Sequence, residues 1–320
     1  MINEEILKRL SPITDEERAI LNGEEIDKSL YTDGHTDVIT GKKLLEEGKL
    51  IAVRPHTRFV HFPKHSHDFI EVIYMCKGKT THIVNGRKII LGQGELLFLG
   101  QNASQEILPA SKDDIAVNFI ILPEFFDPSP EMLGNEDTLL RRFIIEHLKS
   151  DGKKSGFLHF EVSDVLPVQN LVENLIWTLL NKTLNKRKIN RQTMALLFLN
   201  LLNVTDRIVC RDENDSDIIK VLSYIEENYR CGSLAELSKL LHYDFYWFSK
   251  EIKRKTGKTY TEIVQAKRLS QACFLLSTTD LNVSDISLQT GYSNLSYFHR
   301  LFKKTYGVSP HIYRKQNSGK

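Results

Sequence analysis

The 320-residue sequence predicts an α+β chain of two domains: a β-barrel with helices following it, then an all-α domain made of two helix-turn-helix units. Three observations predict it. Short apolar strands punctuated by Gly, Asn and Pro fill residues 49 to 122, a self-similar helical pattern fills residues 218 to 320, and the charge divides between the two ends.

A chain this long buries two cores without help from disulfides. Cys76, Cys210, Cys231 and Cys273 include no Cys-x-x-Cys pair and have no His at zinc-finger spacing, so neither a bridge framework nor a structural zinc site is predicted and no cofactor is expected. The start, Met1-Ile2-Asn3-Glu4-Glu5, is acidic where a secretory signal is basic. The longest apolar run, Met194 to Val204, is broken by Asn200 and Asn203, too short for a membrane span. A cytoplasmic protein in a reducing compartment, with no membrane partner, is the expectation. The net charge of +2 hides a division. Residues 217 to 320 hold 16 Lys and Arg against 9 Asp and Glu, a balance of +7, whereas residues 1 to 216 hold 27 against 32, a balance of −5. The C-terminal third is therefore the polyanion-seeking part.

The polar run Arg211-Asp212-Glu213-Asn214-Asp215-Ser216-Asp217 reads as a linker and sets the domain boundary. Upstream lie an arm (1–48), the barrel (49–122) and a largely helical segment (123–210). In the arm, Thr14 caps a short helix and Glu17 reaches back to it. In the barrel, Asn85-Gly86 tolerates the positive φ of a type I′ turn, pairing Thr80 to Val84 with Lys88 to Leu91. Past Pro123, the cluster Phe125 to Pro130 reads as a turn. Helices are predicted over Asp137 to Lys149, Val168 to Leu184 and Asn190 to Val209, with a last strand at Phe157 to Val162. The third helix carries Met194, Leu197, Phe198, Leu201 and Leu202 on one stripe, which either packs the core or joins two copies.

The C-terminal segment repeats itself. Ser233-Leu234-Ala235-Glu236-Leu237-Ser238 and then His242-Tyr243-Asp244 are echoed by Asn282-Val283-Ser284-Asp285-Ile286-Ser287 and then Gly291-Tyr292-Ser293-Asn294. The offset is 49 residues up to the turn and 50 from Asp244 and Asn294 onward. Each copy reads as a short helix, a tight turn and a longer helix, capped by Asp244 or Asn294 and ended by Gly257 or Gly307. Phe248 with Ile252, and Phe298 with Phe302, anchor the longer helices to the core. The opposite flanks then present Tyr246, Ser249, Lys250 and Lys253 in the first copy and Ser296, His299, Arg300 and Lys303 in the second, and Lys304 joins Lys303 at the end of the second helix, where phosphates would pass. Short polar groups with Arg or Lys suit the base edges of a major groove, and the further cations Arg254, Lys255 and Lys258 suit the phosphates. Double-stranded DNA is the predicted partner. A connecting helix over Thr259 to Leu276 spaces the two copies about 25 Å apart, close to one DNA turn. The alternative is an ordinary helical bundle with a solvated basic face.

The run Gly291 to Lys304, with Gly307-Val308-Ser309-Pro310 and Tyr313-Arg314, closely resembles the signature of AraC-type regulators. The resemblance covers residues 217 to 320 and implies that both recognition helices enter successive major grooves. It puts the base-reading positions on Tyr246, Ser249 and Lys250, and on Leu295, Ser296, His299 and Arg300. Two residues depart from the pattern, His242 for a customary Gly and Lys250 for a customary Arg; Ser238 and Ser287 stand for a small Ala. The N-terminal half resembles the family's cupin-like sensor more weakly, through Arg58-Phe59, His65-Ser66-His67-Asp68-Phe69-Ile70-Glu71 and Gly94 to Leu99. This implies a homodimeric transcription activator, not an enzyme, that responds to a small effector such as a sugar, with RNA polymerase a further partner. In such regulators the arm covers the ligand pocket or contacts the DNA-binding domain.

His65, His67 and Glu71 are also spaced as metal ligands on alternate strand positions, which would suit a metal-dependent enzyme. Against a metal, Gln105 stands where the cupin pattern usually has its last His, so no metal is expected. Two readings of the polar barrel residues stay open: structural hydrogen bonding, or a pocket for one compact ligand in an eight-stranded barrel held by Arg58, His65, His67, Glu71 and His82.

Overall fold

Apolar alternation in the first half and helical periodicity in the second give a computed structural model that describes residues 2–32, 36–126, 156–210 and 213–317. The chain divides into two compact units between Ser216 and Asp217.

In the N-terminal unit eleven strands are described, in two sheets. The five-stranded sheet, in the order β1-β3-β8-β5-β6, takes Val38–Ile39 (β1), Phe62–His67 (β3), Gln105–Ile107 (β8), Lys79–Val84 (β5) and Arg87–Gly92 (β6). The six-stranded sheet, in the order β11-β10-β7-β4-β9-β2, takes Ile208–Cys210 (β11), Phe157–Phe160 (β10), Leu96–Leu99 (β7), Ile70–Lys77 (β4), Ile115–Ile121 (β9) and Ile51–Pro55 (β2). Ile73, Met75, Leu97, Leu99 and Phe157 of the larger sheet meet Val84, Ile89 and Leu91 of the smaller in one core. The Asn85-Gly86 hairpin forms as expected: Val84 pairs with Arg87, and the turn residues take φ of 51° and 80°.

Two expectations need correction here. The sensor fold does not end at Leu122 with eight strands, because β10 and β11 return to complete the larger sheet. Nor is 123–210 a helical segment alone. Two of its three expected helices form, over Leu166–Leu180 (α4) and Lys186–Leu202 (α5), each ending earlier than expected; the third, Asp137 to Lys149, and most of the turn cluster Phe125 to Pro130 lie outside the described residues. Met194, Leu197, Phe198 and Leu201 are all buried, so that stripe packs the core.

The arm is ordered by polar bonds. Helices Glu4–Leu10 (α1), Asp15–Leu21 (α2) and the single turn Gly41–Leu44 (α3) precede the barrel, and Thr14 and Glu17 form the expected capping box. Glu17 then does a second thing. Its two oxygens accept from Arg58 Nε at 2.7 Å and Nη2 at 2.8 Å, and Arg58 also donates to the carbonyls of Lys112 and Pro12. Burial alone would push the Glu17 carboxyl up, but the bonds from Arg58 and Thr14 outweigh it and hold the carboxyl below its usual range.

The C-terminal unit is helical throughout its described residues: Glu213–Asn228 (α6), Leu234–Leu240 (α7), Phe245–Thr256 (α8), Tyr260–Thr278 (α9), Val283–Gln289 (α10), Leu295–Tyr306 (α11) and Pro310–Asn317 (α12). The polar run read as a linker is thus helical from Glu213 onward. Asp217 within it is buried and accepts a hydrogen bond from Tyr243 Oη. Asp244 and Asn294 cap α8 and α11 by accepting from the N–H groups of Trp247 and Tyr297, and Gly257 and Gly307 close them at φ of 71° and 77°. Arg268 of α9 donates to the carbonyls of Tyr229, Arg230 and Gly291, tying the end of α6 to the second turn.

Candidate functional site

Two regions concentrate the residues expected to carry function, one in each unit.

In the N-terminal unit a cavity of about 40 Å³ lies between β2, β3, β4, β8 and β9, and residues of the arm line it too. Tyr31, Ile39 and Phe69 pack together on that side, β1 pairs in parallel with β3, and the Arg54 guanidinium lies 5.3 Å from the Tyr31 ring centre. The polar lining forms a chain. Glu71 Oε1 accepts from Asn118 Nδ2 at 2.8 Å, so the Asn118 amide oxygen faces His56 Nδ1, also at 2.8 Å. A carbonyl oxygen only accepts, so His56 Nδ1 carries the proton and Nε2 carries the lone pair. His56 Nε2, His67 Nδ1 and Glu71 Oε2 are buried with no hydrogen-bond partner among the described residues. Each such group costs about 1–3 kcal/mol unless something pairs with it, which makes the cavity wall receptive to a hydrogen-bonding ligand. Room for roughly two or three waters is too little for a sugar ring unless the lining moves outward.

Burial sets the charge state. It lowers the pKa of His56 and His65 and holds His67 well below the ordinary value, so the imidazoles are neutral at pH 7. It pushes the Glu71 carboxyl up to about 7.

Of the expected ligand residues, His65, His67 and Glu71 line the cavity and two do not. Arg58 is a correction, because Glu17 and the carbonyls of Lys112 and Pro12 occupy its guanidinium. His82 is another. It is fully buried, bonded to Thr80 Oγ1 through Nε2 at 2.8 Å and to Gln105 Nε2 through Nδ1 at 3.0 Å. The sequence reading missed Tyr31, Arg54, His56 and Asn118. Asn118 did carry a signal, a lone amide inside the apolar run Ile115-Ala116-Val117-Asn118-Phe119-Ile120-Ile121. Among the described residues no three His, Cys, Asp or Glu side chains converge on a common point, and His65 Nδ1 donates to the Pro63 carbonyl.

In the C-terminal unit Phe248 and Ile252 of α8, and Phe298 and Phe302 of α11, are buried, and this orients the opposite flanks outward. Tyr246, Lys250 and Lys253 are exposed on α8, with Ser249 half-buried at the flank; Leu295, Ser296, Arg300, Lys303 and Lys304 are exposed on α11, with His299 half-buried. The caps at Asp244 and Asn294 leave the two helices starting alike, so the two faces are chemical counterparts. The connecting helix α9 is 19 residues long, about 28 Å at 1.5 Å per residue, and Thr259 and Glu262 start it with a capping box. No helix among the described residues is long and apolar enough to cross a membrane.

A β-rich domain followed by two capped helices with matched basic faces defines a two-domain, DNA-binding regulator of transcription. Residues 47–126 match the model of the AraC-like ligand binding domain and residues 237–316 match that of a helix-turn-helix domain. The chain belongs to the AraC-type transcriptional regulators. It is 22% identical over 268 residues to the HTH-type transcriptional activator RhaS of Enterobacter sp. (strain 638), covering 83% of this chain and 92% of that protein. It is 25% identical over 283 residues to the HTH-type transcriptional activator RhaR of Mannheimia succiniciproducens, covering 85% and 93%.

Glu71 gives the cavity a pH signature of definite sign. Its folded pKa of about 7 lies above the ordinary 4.5, so the folded chain holds that proton more tightly and stability falls as pH rises between those values. Glu71→Gln is expected to be more stable than the parent at pH 8 by up to ~3 kcal/mol, with no such advantage at pH 4.5. Urea unfolding at both pH values checks this; a difference that does not change with pH would contradict it.

Proposed function

We propose that this regulator is a homodimeric activator that binds a two-part site in duplex DNA and responds to a small polyhydroxylated effector, such as a sugar, held in the N-terminal cavity. The observation that carries the DNA reading is the matched pair of outward faces on α8 and α11. Tyr246, Ser249 and Lys250, and Leu295, Ser296, His299 and Arg300, meet base edges, while Lys253, Lys303 and Lys304 meet phosphates. Arg300 has the planar fork that suits guanine O6 and N7. Arg300→Ala is expected to cost roughly 1–3 kcal/mol in binding and to relax preference at one base pair, whereas Lys253→Ala weakens all sequences alike and reduces the salt slope by about 1. Titrations of duplexes at several salt concentrations check both. An Arg300→Ala protein with the parent's sequence preference would remove Arg300 from the reading face.

The effector reading is supported by the orphaned atoms of the cavity. His56 Nε2 is an acceptor in want of a donor, and Glu71 Oε2, with only His67 Nε2 at 3.6 Å beside it, accepts when the carboxyl is ionised and donates when it is protonated. Hydroxyl groups, which both donate and accept, suit the two. The arm residues Tyr31 and Ile39 lie over the same space, so entry requires them to shift. At a sugar concentration of 100 Kd the parent is expected to gain about 2.7 kcal/mol, seen as a raised Tm, and His56→Phe to lose that gain. A panel of sugars and polyols that leaves the parent's Tm unmoved would count against the effector reading and leave the DNA reading intact.

The dimer reading rests on α5. With its apolar stripe spent on the core, the helix still exposes Ile189, Leu196 (50%) and Leu199 (39%) at spacings of seven and three, the seam of a helix pair. Of the cations in its first turn, Lys186 already donates to the Leu179 and Asn181 carbonyls at the end of α4, while exposed Arg187 and Lys188 sit badly at their own helix N-terminus and well against the C-terminus of an antiparallel partner. Sedimentation is expected to give a dimer for the parent and a monomer for Leu196→Lys with Leu199→Lys. A dimer that survives both changes would place the interface elsewhere. Contact with RNA polymerase follows from activation, and the cytoplasm is where both it and the DNA are met.

A further inference from the structure

The two reading helices share a frame but differ in chemistry. The 50-residue offset sets Tyr246 against Ser296, Trp247 against Tyr297, Ser249 against His299 and Lys250 against Arg300. At about 100° per residue, and with Phe248 inward, Tyr246 and Lys250 stand at roughly 160° and 200°, the most outward positions of α8. At the same two positions α11 offers a small hydroxyl and a guanidinium fork.

The first turn of α8 is aromatic on its surface. Tyr246 is 75% exposed, and its neighbours Phe245 and Trp247 are 42% and 45% exposed. They are braced: the Phe245 and Tyr246 rings meet edge to face at 5.5 Å, and Trp247 lies 5.1 Å from the Tyr243 ring, whose hydroxyl donates to buried Asp217. Tyr246 holds an aromatic ring out to solvent at the centre of a basic helix face, with the half-exposed Phe245 and Trp247 about 100° to either side, and it asks for an apolar partner. Among the groups that line a major groove only one is apolar, the 5-methyl of thymine. Lys250 beside them is a point charge without the geometry to single out guanine.

We propose that the first recognition helix reads thymine methyl groups, with Tyr246 as the contacting residue and Phe245 and Trp247 as its flanks, while the second reads guanine through Arg300. The operator is then asymmetric in kind, one half recognised by apolar contact and the other by paired hydrogen bonds. This rests on the DNA-reading function proposed above and says which base chemistry each head takes.

The test uses the full chain. A site is first recovered from a library of randomised duplexes, then resynthesised with deoxyuridine for thymidine in one half at a time, which deletes the methyls and keeps every base-pairing group. The parent is expected to bind about fourfold more weakly for each methyl lost beneath Tyr246 in one half, and to lose less in the other half, where Leu295 is the apolar group at the base edges. Tyr246→Ser, which copies the second helix, should bind thymidine and deoxyuridine equally in the first of these halves. Tyr246→Phe should keep the discrimination, because the ring and not its hydroxyl makes the contact. Indifference of the parent to deoxyuridine in both halves, or an undiminished loss in Tyr246→Ser, would overturn the inference while DNA binding stood. Recovery of no site at all would instead overturn the DNA-reading function, and this inference with it.

Discussion

A helix that reads DNA has one flank for its own anchorage and one for the groove, and every other feature of the C-terminal unit serves that division. Phe248 and Ile252, then Phe298 and Phe302, are each one turn apart and buried, so four side chains fix how both helices face. Burying each of them is worth about 1.5–3 kcal/mol. That is enough to hold a helix whose other flank, carrying Lys250 and Lys253 or Arg300, Lys303 and Lys304, would gain nothing by packing. The caps matter for the same reason. Asp244 and Asn294 set where each helix begins, and a shift by one residue would rotate the outward face by about 100°.

The barrel obeys a different constraint, the cost of burying polar groups. His56, His67, His82, Glu71 and Gln105 are all buried, and the fold deals with them unequally. His82 is satisfied on both nitrogens by Thr80 and Gln105, and Arg58 is satisfied by the arm, so these two are structural. His56, His67 and Glu71 keep one atom each unpaired beside the cavity. An interior optimised for stability alone would pair or replace them, since each unpaired group costs on the order of 1–3 kcal/mol. Gln105 Oε1, Thr40 Oγ1 and Asn190 Oδ1 are unpaired among the described residues as well, but only His56, His67 and Glu71 bring three such atoms to the wall of one cavity, where a hydrogen-bonding ligand would satisfy them together.

Local signals in the sequence were readable and distant partnerships were not. Asn85-Gly86, Thr14 with Glu17, Asp244, Asn294, Gly257 and Gly307 act within a few residues, and each forms the turn or cap its chemistry calls for. Arg58 pairs with Glu17, which lies in a separate element of the arm, and no periodicity links the two. Thus Arg58 looked like a ligand residue, and Arg54, four positions earlier, took its place in the lining. The same limit hid the end of the sensor fold, because β10 finds its neighbour in β7 across a long stretch of chain. The run from Glu213 to Asp217 was misread as a solvated linker for a related reason. Its polar composition fits a loop, and only the tertiary bond from Tyr243 to Asp217 explains why part of it is buried in a helix.

The two copies have diverged where their surroundings allow it. Gly291 in the second turn has φ of 89°, and a Cβ there would lie 2.6 Å from the Arg230 carbonyl, so only glycine fits beneath the Arg268 clasp. The corresponding residue of the first turn, His242, takes φ of 58° with its side chain exposed, a left-handed conformation that costs a non-glycine residue about 1–2 kcal/mol. Both turns are tied to α6, the first by the bond from Tyr243 Oη to Asp217 and the second by Arg268, which also anchors it to α9; the two differ in that backbone crowds the Cα of Gly291 whereas the His242 side chain is exposed. A tightly located helix is what a directional, paired hydrogen bond from Arg300 requires, since a small displacement breaks it. Apolar contact through an aromatic ring is far less sensitive to angle, so Tyr246 on the first copy can make its contact without the positional precision that Arg300 needs on the second.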